Sequence, residues 1–333
     1  MIAQLDSRYL RTRPSRAISR LLSYALFEGR PLTTKGRWIN PLLKAAANTI
    51  TRRAEECVID RPIFILGSGR TGTTVLGKIL SLHRSVGYLN EPKLLWHIAY
   101  PNEDLNGNYS SEDARYRLDA EDATGETLAR IRKLYATYLA VTLNDRVVDK
   151  YPELIFRTGF VKKIFPDARF IFLTRNGFDA CRSVAAWSAA HGQMHDGSNV
   201  DWWGKDNRKW NYLVEQLVRT DAELCNSDDK IAHYDNPVDK AAVEWMLSTK
   251  EGLELSRNDP EATIKVRYES LVSSPDRVIP RLLKFCDLSY DPVVVKYAAA
   301  NLREKPLGPT MQLHPLISDY FGRVMSDSGY TSD

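Results

Sequence analysis

The chain has 333 residues and little of what marks several familiar protein classes. Its four cysteines, Cys57, Cys181, Cys225 and Cys286, form no CxxC pair and no metal-ligand spacing. Such sparse usage fits buried thiols in a reducing compartment, not a disulfide framework. No apolar run approaches the roughly 18–20 residues that span a bilayer. Leu21–Phe27 is short for a secretory core, is interrupted by Ser23, and is followed by Glu28 and Arg30. The expected location is the cytoplasm, peripheral to a membrane at most. Internal repeats and low-complexity tracts are missing too. Net charge is small, 46 Lys plus Arg against 42 Asp plus Glu, which gives +4 and excludes a generic polyelectrolyte binder.

That balance hides an asymmetry. Residues 1–53 carry eleven basic groups and only two acidic ones, Asp6 and Glu28, for a local charge of +9; the remaining 280 residues carry −5. The expected division is a basic helical arm over 1–60 and a body over 61–333. Ile18, Leu21, Leu22, Ala25 and Leu26 follow helical spacing, with Arg16, Ser19 and Arg20 on the opposite face. Pro41 starts a second helix. An anionic membrane, a partner or dimer contact, and packing onto the body all suit this arm. Because it lies outside the motifs below, deletion of residues 1–53 is expected, if the arm serves a membrane or partner, to spare turnover on a soluble acceptor and weaken liposome binding.

From Pro62 onward short apolar strands alternate with helices. Ile63–Leu66 reads as a central parallel strand covered on both faces. Further strands are expected at Val86–Leu89, Val147-Val148, Arg169–Thr174 and Thr263–Tyr268. Helices are expected after Thr74, over roughly 128–139, 154–165 and 178–187, through Trp245, and near 275–286. Residues 101–125 read as an exposed insertion. The alternation predicts an α/β fold: one doubly wound, mainly parallel sheet flanked by helices.

Between the first strand and its helix lies Gly67-Ser68-Gly69-Arg70-Thr71-Gly72-Thr73-Thr74. Such a turn aims backbone N–H groups and the positive helix end at an anion. Gly67, Gly72 and Thr74 fit the spacing of the nucleotide phosphate loop, but Thr73 stands where its lysine should be. The cation has moved inside the loop to Arg70, which suits a single phosphate or sulfate clamp better than a triphosphate with magnesium.

This run resembles the 5′-phosphosulfate loop of the sulfotransferases that use 3′-phosphoadenosine 5′-phosphosulfate (PAPS), in the form found in bacterial and carbohydrate-type members. Phe170–Arg175 with Ser183 is similar to that family's 3′-phosphate motif. Gly177 departs from the proline of many relatives, and a looser turn is expected there. Val266–Leu271 is similar to the family's strand end at which Tyr268 would contact adenine. The resemblance spans roughly 62–330. It implies a P-loop NTPase-like three-layer α/β/α fold and PAPS as co-substrate without a metal. Gly69, Arg70, Thr71, Gly72, Thr73, Thr74, Arg175, Ser183 and Tyr268 would bind the nucleotide.

Sulfuryl transfer needs a base for the acceptor hydroxyl and cations for the leaving phosphate oxygen. The resemblance implies Glu91 as the base, in an Asn90-Glu91-Pro92 run similar to that of related enzymes with a catalytic carboxylate there, and Pro92 is expected to hold it in extended backbone; His97 is the competitor, since some cytosolic relatives use a histidine. Lys150, at a strand end before Tyr151-Pro152, and Arg70 would serve as catalytic cations. Arg303 and Lys305 are weaker candidates for the 3′-phosphate. Trp187, Trp202, Trp203, Trp210 and Tyr212 read equally as an acceptor wall or as core. A hydroxyl acceptor on a glycan, glycolipid or natural product is implied. The alternatives are a P-loop nucleotide kinase and a non-catalytic, membrane-associated nucleotide-binding protein. No nucleic-acid-reading motif is present.

Overall fold

The apolar run Ile63–Leu66 forms β1, with all four side chains fully buried, as a strand covered on both faces must be. The computed structural model describes residues 2–52 and 57–330; Arg53, the last basic residue of the arm, lies outside them. Before β1 come α1 (Ser7–Thr12), α2 (Pro14–Leu26) and α3 (Asn40–Thr51). After it follow α4 (Thr73–Leu80), β2 (Val86–Asn90), α5 (Lys93–Ala99), α6 (Gly125–Thr142) and β3 (Arg146–Lys150). Next are α7 (Thr158–Ile164), β4 (Arg169–Thr174) and α8 (Gly177–His191). The chain ends through β5 (Gln193–His195), β6 (Ser198–Asp201), β7 (Gly204–Lys205), α9 (Arg208–Gln216), α10 (Asp228–Ala232) and α11 (Pro237–Asn258), then β8 (Thr263–Arg267), α12 (Tyr268–Ser273), α13 (Pro275–Phe285), α14 (Pro292–Asn301) and α15 (Pro315–Asp327).

Five strands make one parallel sheet in the order β2-β3-β1-β4-β8, while β5, β6 and β7 form a small antiparallel ribbon. The chain lays β2 and β3 on one side of β1 and then crosses to β4 and β8 on the other, so the switch point lies at the carboxyl end of β1. Register brings the strand ends level there. Ile65 and Asn90 both pair with Lys150, Leu66 pairs with Phe172, and Thr174 pairs with Arg267. Two apolar layers sandwich the sheet, one around Phe64, Phe170, Trp96 and Trp245, the other around Ile65, Leu76, Ile171 and Leu282. Among the described residues, no helix is long and apolar enough to cross a membrane.

The arm packs opposite to a conventional amphipathic helix. Arg16, Ser19, Arg20 and Ser23 of α2 are buried, whereas Ile18, Leu21 and Leu26 are exposed. The reason is the edge strand β2, whose carbonyls need donors. Arg16 Nη2 donates to Val86 O, and Arg20 Nη1 to Tyr88 O at 3.3 Å. Glu28 Oε1 accepts from the Asn90 N–H at 2.7 Å and pairs with Arg20 at 2.6 Å. Two arginines one helical turn apart thus match every second carbonyl of the strand, and side chains take the place of a sixth strand.

Two other expectations change. Residues 101–125 are irregular but not peripheral: Leu105, Tyr116 and Leu118 are buried, and Glu103 pairs with the buried Arg157 at 3.2 Å. The segment expected as one helix over 154–165 is a 3-10 stretch (Pro152–Arg157) followed by α7.

Candidate active site

The loop between β1 and α4 shows why its glycines are needed. Gly72 has φ +96° and caps α4; the Tyr268 ring lies where a Cβ would project, so any side chain would collide with it. Arg70 also adopts a left-handed φ, +66°, despite its side chain. Among the described residues, the backbone N–H groups from Gly69 to Thr74 make no hydrogen bond to the protein. They open into a pocket of about 430 Å³. Such a row of free donors at a helix start is an anion seat.

Nearly all the sequence-derived site residues line this pocket: Gly69, Arg70, Gly72, Thr73, Thr74, Glu91, Lys150, Arg175, Ser183 and Tyr268. Thr71 is the exception, buried beneath the loop with its hydroxyl donated to Ser68 O at 2.7 Å, so it shapes the turn. Arg70 Nε donates to Ser183 Oγ at 3.2 Å, and Arg175 Nη1 to Arg70 O at 3.2 Å. The Arg175 guanidinium stands 4.9 Å from the Tyr268 ring centroid. Tyr268 itself opens α12 instead of ending β8. Arg175 Nε and Thr174 Oγ1 are buried without a partner among the described residues. Burial, partly opposed by Glu91, and the adjacent Arg175 pull the Arg70 pKa below its usual value. A bound phosphate would satisfy the free donors and relieve the repulsion between the two guanidiniums.

Gly177, expected to loosen the turn after Arg175, does the opposite. Phe321 and Met325 of α15 occupy the space beside it, and its N–H points to Met325 Sδ at 3.2 Å. Its missing side chain lets α15 lock the turn.

Glu91 follows β2 with φ +53°, in the left-handed region, not in the extended backbone expected from Pro92. Its own bonds override the proline's preference. Its N–H donates to Lys150 O at 2.7 Å, and its carbonyl accepts from Lys93 N at 2.7 Å. The carboxylate is ion-paired with Lys150 Nζ and lies 4.0 Å from Lys93 Nζ. Burial would push its pKa up, but the two ammonium groups outweigh it and hold the carboxyl below the ordinary glutamate range. The group is therefore ionised at neutral pH, as a base must be. His97 lies elsewhere: Nδ1 is 3.0 Å from Pro101 O, Nε2 is 3.2 Å from Lys44 Nζ, and the ring is buried away from the pocket.

Several lining groups left no sequence signal. Lys93, Glu153, Lys209 and Glu244 form a buried chain of alternating charge, with contacts of 3.2, 3.4 and 2.5 Å. Trp202 Nε1 donates to Glu244 at 2.8 Å, while its ring covers Gly69 and meets Trp187 edge-on. Trp187 and Trp202 thus line the pocket; Trp203 and Trp210 belong to the core, and Tyr212 bonds Asp113 outside it. Lys305 reaches the rim, whereas Arg303 is spent on the carbonyls ending α14. Pro31 and Thr33 of the arm also line the wall, so the arm is part of the site and the expectation that its deletion spares turnover is withdrawn.

The chain is 25% identical over 250 residues to an uncharacterised protein of Aquifex aeolicus, a match covering 71% of the chain but only 27% of that longer protein. It is 23% identical over 332 residues to an omega-hydroxy-beta-dihydromenaquinone-9 sulfotransferase of Mycobacterium bovis, covering 84% of the chain and 78% of that enzyme. Its fold superposes on a sulfotransferase domain from the curacin biosynthetic pathway with a TM-score of 0.50 at 16% identity, over 84% of this chain and all of that one. Residues 62–292 match the sequence profile of the sulfotransferase family, and the chain belongs to that family.

Proposed function

We propose that the chain transfers a sulfuryl group from PAPS to an acceptor hydroxyl and releases 3′,5′-ADP. The Arg70–Ser183–Arg175 cluster carries this reading, because it offers one nucleotide two adjoining anion seats. Loop N–H groups with Thr73 and Thr74 would hold the 5′-phosphosulfate. Arg175 and Ser183 would hold the 3′-phosphate, and Tyr268 would face the adenine. With a threonine at 73 in the lysine's place, a kinase reading has less support.

In the reaction, Glu91 takes the acceptor proton as the acceptor oxygen bonds to sulfur. The bond from sulfur to the bridging oxygen breaks, and its electron pair stays on the 5′-phosphate. Lys150 and Arg70 neutralise the charge appearing there, in a setting where fixed cations act without water having to reorganise. The polar chain of Lys93, Glu153, Lys209 and Glu244, faced by Trp187 and Trp202, supports a hydroxyl-rich acceptor such as a glycan, glycolipid or natural product. Incubation with PAPS and an acceptor panel tests the reading: stoichiometric 3′,5′-ADP and sulfated product are expected, and failure with every hydroxyl class would reject it.

A further inference from the structure

The inverted arm leaves an unusual outer surface. Six large apolar side chains are exposed between residues 10 and 42: Leu10, Ile18, Leu21, Leu26, Trp38 and Leu42, with Ile18 at 64% and Trp38 at 76%. On α2, Pro14, Ile18 and Leu21 recur at four- and three-residue steps, and Leu26 lies two turns on from Ile18, so they form a stripe opposite the buried arginines; Leu10 adds to it from α1, beyond the bend at Arg13. Cations flank it. Arg8, Arg11, Lys35 and Arg52 are exposed, and Arg37 partly so. The two acids of residues 1–53 do not offset them, because Glu28 is buried against Arg20 and Asp6 is paired with Lys78 at 2.6 Å.

We propose that this face of residues 7–42 docks on a membrane carrying anionic lipid. Exposed Leu, Ile and Trp would enter the headgroup boundary while Arg8, Arg11 and Lys35 meet lipid phosphates. Charge decides against a second copy of the chain. A two-fold contact sets the same patch against itself, and here that means arginine against arginine with no exposed acid within residues 7–42 to intervene. The inverted helix explains how the arm does both jobs: its polar face holds β2 and its apolar face is free. Only four residues separate Leu26 from Pro31 in the pocket wall, so docking would bring the acceptor side of the site near the lipid surface.

The test is co-sedimentation of the full chain with phosphatidylcholine vesicles, with and without 30% phosphatidylglycerol (about that fraction suffices to make the surface anionic). Binding is expected only to the anionic vesicles, and is expected to fall at least about tenfold in I18D/L21D and in high salt. Both residues are exposed, so the variant should keep the parent's melting temperature and 3′,5′-ADP affinity, which separates this claim from the proposed activity. No binding to anionic vesicles, or equal binding by parent and variant, overturns the proposal. A parent that is dimeric by light scattering with a monomeric I18D/L21D overturns it as well and assigns the face to self-association.

Discussion

The Glu91 carboxylate is ion-paired with Lys150 across the carboxyl ends of two neighbouring strands, and the backbones of the same two residues are joined by a 2.7 Å hydrogen bond from Glu91 N to Lys150 O. Asn90 and Lys150 are register partners, so the sheet itself sets this geometry. The proposed base and cation are therefore positioned by one ladder rather than by two independent loops.

Replacing the carboxylate should separate chemistry from binding. Glu91→Gln is expected to lower kcat by at least about a hundredfold, in the range of a lost general base. The affinity for 3′,5′-ADP, measured by calorimetry, should change less than about threefold, because Glu91 does not touch the Arg175–Ser183 cluster. Full turnover in this variant would remove Glu91 from the mechanism.

The pH profile follows from the same pair. A carboxyl held below the usual range stays ionised until the pH falls beneath it, so the acidic limb of kcat/KM due to Glu91 should lie below the ordinary glutamate range. In Lys150→Ala the burial of Glu91 loses its ion-paired partner and is opposed by the more distant cations Lys93 and Arg70. The limb should then move to higher pH, along with a drop in kcat. An unmoved limb would show that some other group titrates.

The proposed 3′-phosphate seat predicts a discrimination. Arg175→Ala should weaken 3′,5′-ADP binding by about 30-fold or more, as expected for a lost charge-assisted pair worth about 2 kcal/mol or above. Ser183→Ala should weaken it by about two- to tenfold. Neither should much affect adenosine 5′-phosphate, which has nothing to place there. Equal losses for both nucleotides would contradict the assignment.

The arm should be required for folding. Arg16 is buried and donates to Ser81 O, Arg84 O, Val86 O and Asn144 Oδ1. Arg16→Met removes the donor to those four acceptors, Val86 O of the edge strand among them, and a loss of about 2–4 kcal/mol is expected in urea unfolding. A change under about 0.5 kcal/mol would place the arm outside the cooperative unit.

Much of this was legible in the chain. Ile63–Leu66 and Phe170–Leu173 announced central strands, because a strand buried on both faces has no choice but to be apolar throughout. The loop was legible too, since glycines, Arg70 and the paired threonines act through backbone and local spacing. Glu91, by contrast, was found by its place before Pro92, while its left-handed backbone was not, because that depends on hydrogen bonds to Lys150 and Lys93 across space. The arm was misread for a related reason. Hydrophobic periodicity assumes an apolar core face, and it cannot register an edge strand whose carbonyls recruit Arg16 and Arg20. Lys93, Glu153, Lys209 and Glu244 come from four separate segments, and only the closed fold makes them a chain.

The most direct measurement is thermal unfolding of the full chain with 3′,5′-ADP and, separately, with ATP and magnesium. A ligand at a hundred times its Kd stabilises the native state by about 2.7 kcal/mol, a rise in Tm of several degrees. The account expects that rise with 3′,5′-ADP, its loss in Arg175→Ala, and little response to ATP with magnesium. Stabilisation by ATP with magnesium and none by 3′,5′-ADP would contradict it.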